Sequence, residues 1–148
     1  MASAAAPLVL AAGPARLEVS PADGGRVASF QLHGQELIAR VDEGPIWWGS
    51  YPMVPFAGRI RRGVFSFDGR EYRLPLNMAP HAIHGVVFDR PWEDVTGDSM
   101  SVRLGPPWPF AGTVTQRFDL APDRLRVTLE LAADEPMPAS MGWHPWFR

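Results

Sequence analysis

Val64-Phe65-Ser66-Phe67-Asp68-Gly69-Arg70-Glu71-Tyr72-Arg73-Leu74 reads as a complete β-hairpin. Branched and aromatic residues recur on both arms, and Asp68-Gly69 is a dipeptide that accepts the positive φ angles of a two-residue turn. Working outward, residues 113–120 and 125–131 form a second candidate pair, joined through Ala121-Pro122-Asp123-Arg124. Leu125, Val127, Leu129 and Leu131 alternate with Arg126, Thr128 and Glu130, so a period of two puts the four apolar residues on one face. A short helix over residues 123–135 competes with that reading. Nearer the start, residues 15–20 and 26–32 flank Asp23-Gly24-Gly25, and residues 37–41 follow a His33-Gly34 turn, which together read as a meander of strands.

The rest of the sequence agrees with an all-β chain. Sixteen prolines and fourteen glycines in 148 residues leave almost no stretch where a long helix could run, because proline removes an amide donor and breaks helix interiors. No fixed-period repeat or interior linker divides the chain. One domain over residues 15–148 follows, preceded by an alanine-rich segment, residues 1–14, expected to be flexible. The terminal Met141-Gly142-Trp143-His144-Pro145-Trp146-Phe147-Arg148 is aromatic where termini are usually polar, so the sequence reads as cut inside a structured region.

Composition narrows the function. Fourteen basic side chains, all arginine, stand against sixteen acidic ones for a formal charge of −2, so no global positive field favours nucleic acid or an anionic membrane. No apolar run reaches the roughly 18 to 20 residues that span a bilayer as a helix. The absence of cysteine excludes disulfides, thiolate nucleophiles and cysteine-ligated zinc, and fits a cytoplasmic protein. No serine sits in a G-x-S-x-G elbow, and no G-x-G-x-x-G or Walker loop points to a nucleotide.

Histidine is the remaining chemical signal. Three of the four histidines fall in two compact settings, His81-Ala82-Ile83-His84-Gly85 and Gly142-Trp143-His144-Pro145-Trp146. An ordinary pKa near 6.5 lets imidazole exchange protons near neutrality, although such residues also serve as hydrogen-bonded structural groups. Three imidazoles could hold zinc, but no HExxH pattern or carboxylate accompanies them, and no metal is assigned. Arg59, one residue past Gly58 and next to Ile60, is expected to turn into a cleft, where its planar fork can hold vicinal hydroxyls. Arg61 and Arg62 read as a solvated turn. Of the six tryptophans, Trp47, Trp92 and Trp108 read as packing residues, whereas Trp143 and Trp146, flanking His144, are equally readable as packing or as sugar-stacking surfaces.

Taken together, Pro55-Phe56-Ala57-Gly58-Arg59-Ile60, the hairpin, Asn77 and His81-Ala82-Ile83-His84-Gly85 resemble the aldose 1-epimerase (galactose mutarotase) family, and Gly142-Trp143-His144-Pro145-Trp146-Phe147 is similar to that family's second histidine motif. The resemblance spans roughly residues 15–148 and covers about the first half of a typical member. It implies an antiparallel β-sandwich of the galactose mutarotase type, incomplete at its C-terminus, with an open cleft for an aldohexose. It also implies a reaction that interconverts the α and β anomers through ring opening. His144 would be the general acid at the ring oxygen, His84 would assist there, and Arg59 would bind hydroxyls, with His81, Asn77 and Trp143 as cleft-wall residues. No cofactor is implied. The family's general base is a glutamate of the C-terminal half, accompanied by an acidic substrate-binding residue; neither has a counterpart before Arg148, and assigning the role to Glu130 or Glu135 would be arbitrary. Such a half is expected to self-associate through exposed sheet edges. A non-catalytic carbohydrate-binding module and a hexose-6-phosphate epimerase of the same fold, with Arg59, Arg61 and Arg62 on the phosphate, stay open as alternatives.

Overall fold

The computed structural model describes residues 6–41 and 43–148, which form fourteen β-strands. Six of them make the larger sheet: β1 (Leu8–Ala12), β2 (Ala15–Ser20), β3 (Arg26–Leu32), β4 (Gln35–Glu36), β5 (Ser50–Met53) and, from the far end of the chain, β14 (Gly142–Pro145). The order is β1-β2-β3-β5-β14, with β4 paired to β3. A second sheet has the order β10-β11-β12-β13, from β10 (Glu93–Thr96), β11 (Ser99–Arg103), β12 (Gly112–Ala121) and β13 (Arg124–Ala133). Two short ribbons stand beside them: β6 (Arg59–Arg61) with β9 (His81–Ile83), and β7 (Val64–Phe67) with β8 (Arg70–Arg73). All the strand pairings are antiparallel.

Alternation explains how the two sheets meet. Leu17, Val19 and Val27 point from the first sheet into the same cluster that receives Met100, Val102, Val114 and Phe118 from the second. These side chains are nearly inaccessible, and each fully buried aliphatic or aromatic group contributes about 1.5 to 3 kcal/mol relative to leaving it in water. Gln116 is the polar exception in β12. Its Nε2 donates to the Gly25 carbonyl at 2.8 Å and so ties the second sheet to the β2–β3 turn.

The hairpin that opened the reading closes as expected: Asp68 and Gly69 take φ of 49° and 73°, and Phe67 pairs with Arg70. Residues 112–133 form the long β12–β13 hairpin and not a helix, and Leu125, Val127, Leu129 and Leu131 face the core, half-buried. Two expectations need correction. Residues 8–12, assigned to a flexible segment, form β1 and pair with β2 from Ala15 to Val19, because Leu8 and Leu10 stand opposite Val19 and Leu17 and join them in the core. Residues 37–41 do not form a strand: the Glu36 carboxylate accepts the backbone N–H groups of Phe30 at 3.0 Å and Ile38 at 2.9 Å, so a side chain takes donors that a continuing ladder would use. Ile38 makes only an isolated bridge, to Phe147.

Candidate active site

Two segments remote in sequence bring the histidines together. Strand β14 pairs with β5 so that His144 lies opposite Tyr51, and the two rings stack with centroids 5.0 Å apart and planes 9° apart. His84 arrives from the β6–β9 ribbon. It follows the last residue of β9, takes a left-handed φ of 61°, and donates its backbone N–H to Gly58 at 2.9 Å. Gly85 follows at φ 80° and runs against Val54, where a Cβ would stand 2.0 Å from the Val54 carbonyl oxygen. This close approach, which only glycine permits, fixes where the chain carrying His84 can lie.

The result is an imidazole pair with centroids 5.0 Å apart and planes at 68°. Aromatic rings surround it: Trp146 lies 5.1 Å from His144, Tyr51 lies 6.1 Å from His84, and Phe88 packs on Tyr51 at 5.3 Å. Trp47, more exposed, leans on Trp146 at 5.9 Å. The Nδ1 atoms of both histidines are buried without a hydrogen-bond partner.

Burial sets the charge state. Loss of solvent, with His144 and the Arg59 guanidinium nearby, pushes the His84 imidazole down to about 4, and loss of solvent also lowers His144. Burial favours the neutral ring because the imidazolium loses more hydration than the imidazole. At neutral pH the site therefore presents two uncharged imidazoles beside one cation. None of the ion pairs among the described residues involves a histidine.

Beneath the aromatic cluster lies Arg26, which is fully buried. Its guanidinium donates to the carbonyls of Asp23 at 2.6 Å, Pro45 at 2.7 Å, Trp48 at 2.9 Å and Phe88 at 2.8 Å. The cation also sits 4.4 Å from the Trp48 ring and 5.1 Å from the Tyr51 ring. Burial pulls its pKa down to about 10, which still leaves it charged at neutral pH. Four carbonyls and two ring faces replace the water it gave up. The Tyr51 hydroxyl and Trp146 Nε1 both donate to the Ile46 carbonyl, at 3.1 and 2.8 Å, so the loop before β5 holds two walls of the histidine site.

The other residues singled out from the sequence divide. Arg59 opens β6, is exposed, and lies near enough for its charge to act on His84. His81, at the start of β9, faces Arg61 in register and accepts the Arg62 backbone N–H at Nδ1, at 3.3 Å. No three His, Asp or Glu side chains converge among the described residues. Asn77 spends its amide on the backbone of Ile83, donating at 3.0 Å and accepting at 2.8 Å, and so braces the residue before His84. It also lines a separate cleft of about 270 Å³ with Phe56, Ala82 and Arg90. Trp143 is not beside His144. Side chains alternate along a strand, so it points through the sheet into an apolar groove of about 350 Å³ with Val27, Ile38, Leu125 and Val127. Trp92 and Trp108 are core residues, as read. Sequence reasoning passed over Tyr51 and Arg26. Neither stands in a motif, and Arg26 opens a strand where a charged residue ordinarily marks an exposed position.

This geometry can be set against known proteins. An uncharacterized protein of Escherichia coli, YphB, is 36% identical over 107 residues, covering 66% of this chain and 36% of its own length. Galactose mutarotase of Bos taurus is 35% identical over 68 residues, 45% of this chain and 19% of its own. Among solved structures, a candidate aldose 1-epimerase of Escherichia coli K12 superposes with a TM-score of 0.80 at 28% identity, covering 96% of this chain and 52% of that one. The chain thus spans about half the length of that structure, and just over a third of YphB. The antiparallel sandwich, the paired histidines and a match to the aldose 1-epimerase family profile over residues 10–148 converge: the chain belongs to the aldose 1-epimerase family.

Proposed function

We propose that His84, His144 and Arg59 form the acid side of an aldose 1-epimerase site that takes an aldohexose. The observation that carries this reading is the imidazole pair, held 5.0 Å apart in an aromatic box with both Nδ1 atoms buried. Burial of Nδ1 leaves Nε2 as the nitrogen through which each ring would meet a ligand. In ring opening, a proton moves from His144 to the ring oxygen as a base takes the proton of the anomeric hydroxyl. The bond between anomeric carbon and ring oxygen breaks, an aldehyde forms, its carbonyl rotates, and closure on the opposite face returns both protons. A depressed imidazole pKa makes His144 a strong acid once it is protonated, and a carboxylate brought beside it would raise that pKa again. Arg59, with its fixed fork of donors, would hold hydroxyls at the mouth. The flat faces of Trp146 and Trp47 suit the C–H face of a sugar ring. The cysteine-free composition supports a cytoplasmic setting.

Polarimetry tests the reading. Freshly dissolved α-D-glucose and α-D-galactose are followed at neutral pH in buffer, with the chain, and with its His144→Ala variant. Acceleration by the chain and its loss in the variant is the expected result. Equal rates in all three would defeat the catalytic reading for these sugars and leave binding without turnover.

A further inference from the structure

Two imidazoles 5.0 Å apart cannot both take a proton easily, because the second charge is added beside the first. The surroundings must therefore decide which ring is charged first. No ion pair among the described residues supplies either histidine with a carboxylate, so loss of solvent, the neighbouring rings and the nearby arginines are what distinguish them. Desolvation lowers both imidazoles, and His144 and Arg59 lower His84 further.

The neighbouring rings are not placed alike. Tyr51 lies in an offset stack on His144, with planes 9° apart and centroids 5.0 Å apart. It meets His84 at 61° and 6.1 Å, in an edge contact. The negative face of an aromatic ring attracts a cation held over it within about 6 Å of the centroid, more strongly where water is excluded. A proton on His144 gains from the Tyr51 face, and a proton on His84 gains little. Trp146, 5.1 Å from His144 and tilted by 36°, adds a second ring beside the same imidazole.

Tyr51 is also held firmly enough to act in this way. It is fully buried, its hydroxyl donates to the Ile46 carbonyl at 3.1 Å, and the same carbonyl accepts Trp146 Nε1 at 2.8 Å. One backbone oxygen thus sets both rings against His144. Arg26, whose donors are taken by four carbonyls, lies 5.1 Å from the Tyr51 ring and braces it from β3. Burial pushes the Tyr51 phenol up to about 12, against the opposing pull of Arg26, so the ring stays neutral at working pH and its hydroxyl is no base.

We propose that Tyr51 is a positioning residue: by stacking on His144 and meeting His84 only in an edge contact, it assigns the first proton of the pair to His144. In ring opening this makes His144 the imidazole that carries a proton to the sugar, a consequence that rests on the acid role proposed for it above. The order of protonation itself is a property of the folded chain without sugar.

A proton and nitrogen-15 NMR titration of both rings in the 148-residue chain tests the assignment. In the wild type His144 should take its proton at the higher pH. Tyr51→Phe keeps the ring face and should preserve that order. Tyr51→Leu should lower the His144 midpoint by about 1, a tenfold weaker hold on the proton, and move His84 little. Because leucine in so enclosed a place can loosen the fold, the titration is repeated on Tyr51→Phe with a pentafluorinated ring, which keeps the shape and reverses the charge on the face. That variant should act as Tyr51→Leu does. A wild type in which His84 is protonated first overturns the proposal. So does a gap between the two midpoints that the fluorinated ring leaves unchanged, or one that Tyr51→Phe abolishes. Polarimetry on the same proteins reads the catalytic question separately: the expected proton order in a chain that does not accelerate mutarotation supports the role of Tyr51 and defeats the acid role of His144 alone.

Discussion

Strands β12 and β13 are joined by Pro122 and Asp123 alone, whereas Tyr51 in β5 meets His144 in β14 across most of the chain. Both are antiparallel ladders. The first is built from neighbours, and its register follows from the turn and from period-two alternation; its side chains remain half in water. The second is built at long range, and its register depends on contacts that tolerate no added atom: Gly85 against Val54, the Arg26 guanidinium among four carbonyls, and two donors sharing the Ile46 carbonyl. The local ladders give the domain its frame, and the long-range one concentrates buried polar groups where the chemistry can be.

This contrast can be broken most severely at Gly85. Gly85→Ala adds a methyl group that would stand 2.0 Å from a backbone oxygen at a left-handed φ, and should cost about 5 kcal/mol or more, read as loss of the cooperative urea transition. Gly69 in the β7–β8 hairpin has nearly the same φ, 73°, but its added methyl group would meet open space. Gly69→Ala should therefore cost only about 1 kcal/mol, and it stands at the opposite end of the scale. If the two substitutions proved equal, the division between tight long-range and tolerant local pairing would fail.

Arg26→Met comes next. It leaves the buried Phe88 carbonyl and the part-buried carbonyls of Asp23, Pro45 and Trp48 without their donor and should destabilise by about 3 kcal/mol in denaturant titration. Acidification is the third and gentler probe. The His84 imidazole titrates at about 4 when folded and near 6.5 when unfolded, so the unfolded chain binds the extra proton between those values. Stability is full above pH 6.5 and falls as the pH drops toward 4, by about 3 kcal/mol at most from this residue, with His144 acting in the same direction. His84→Asn, which keeps the left-handed backbone accessible, should flatten the profile; an unchanged slope would remove His84 from the account. Tyr51→Phe, losing only the hydroxyl bond to Ile46, should cost about 1 kcal/mol in the same assay.

What could be read from the amino-acid order tracks this division. The hairpins at Asp68-Gly69 and Pro122-Asp123 and the β2–β3 pair around Asp23-Gly24-Gly25 were legible, because turn chemistry and alternation are local properties. The end of the β4 strand was not: Glu36 turns its carboxylate onto backbone donors, and composition gives no sign of that. His84 and His144 stood out through their motifs, yet Tyr51, whose ring stacks on His144 and lies 5.1 Å from the Arg26 guanidinium, carries no motif at all. Trp143 shows the reverse failure. Adjacency to His144 in sequence suggested a shared cleft, but alternation sends the two side chains to opposite faces of β14.

The most direct test of the central claim is a proton NMR titration of the histidine rings, with and without D-galactose. If His84 and His144 form one sugar-responsive unit, both rings titrate below the ordinary imidazole value, and both move on addition of the sugar while His33 does not. If either ring titrates at or above that value, or if galactose leaves both in place, the paired-imidazole site as described here is wrong.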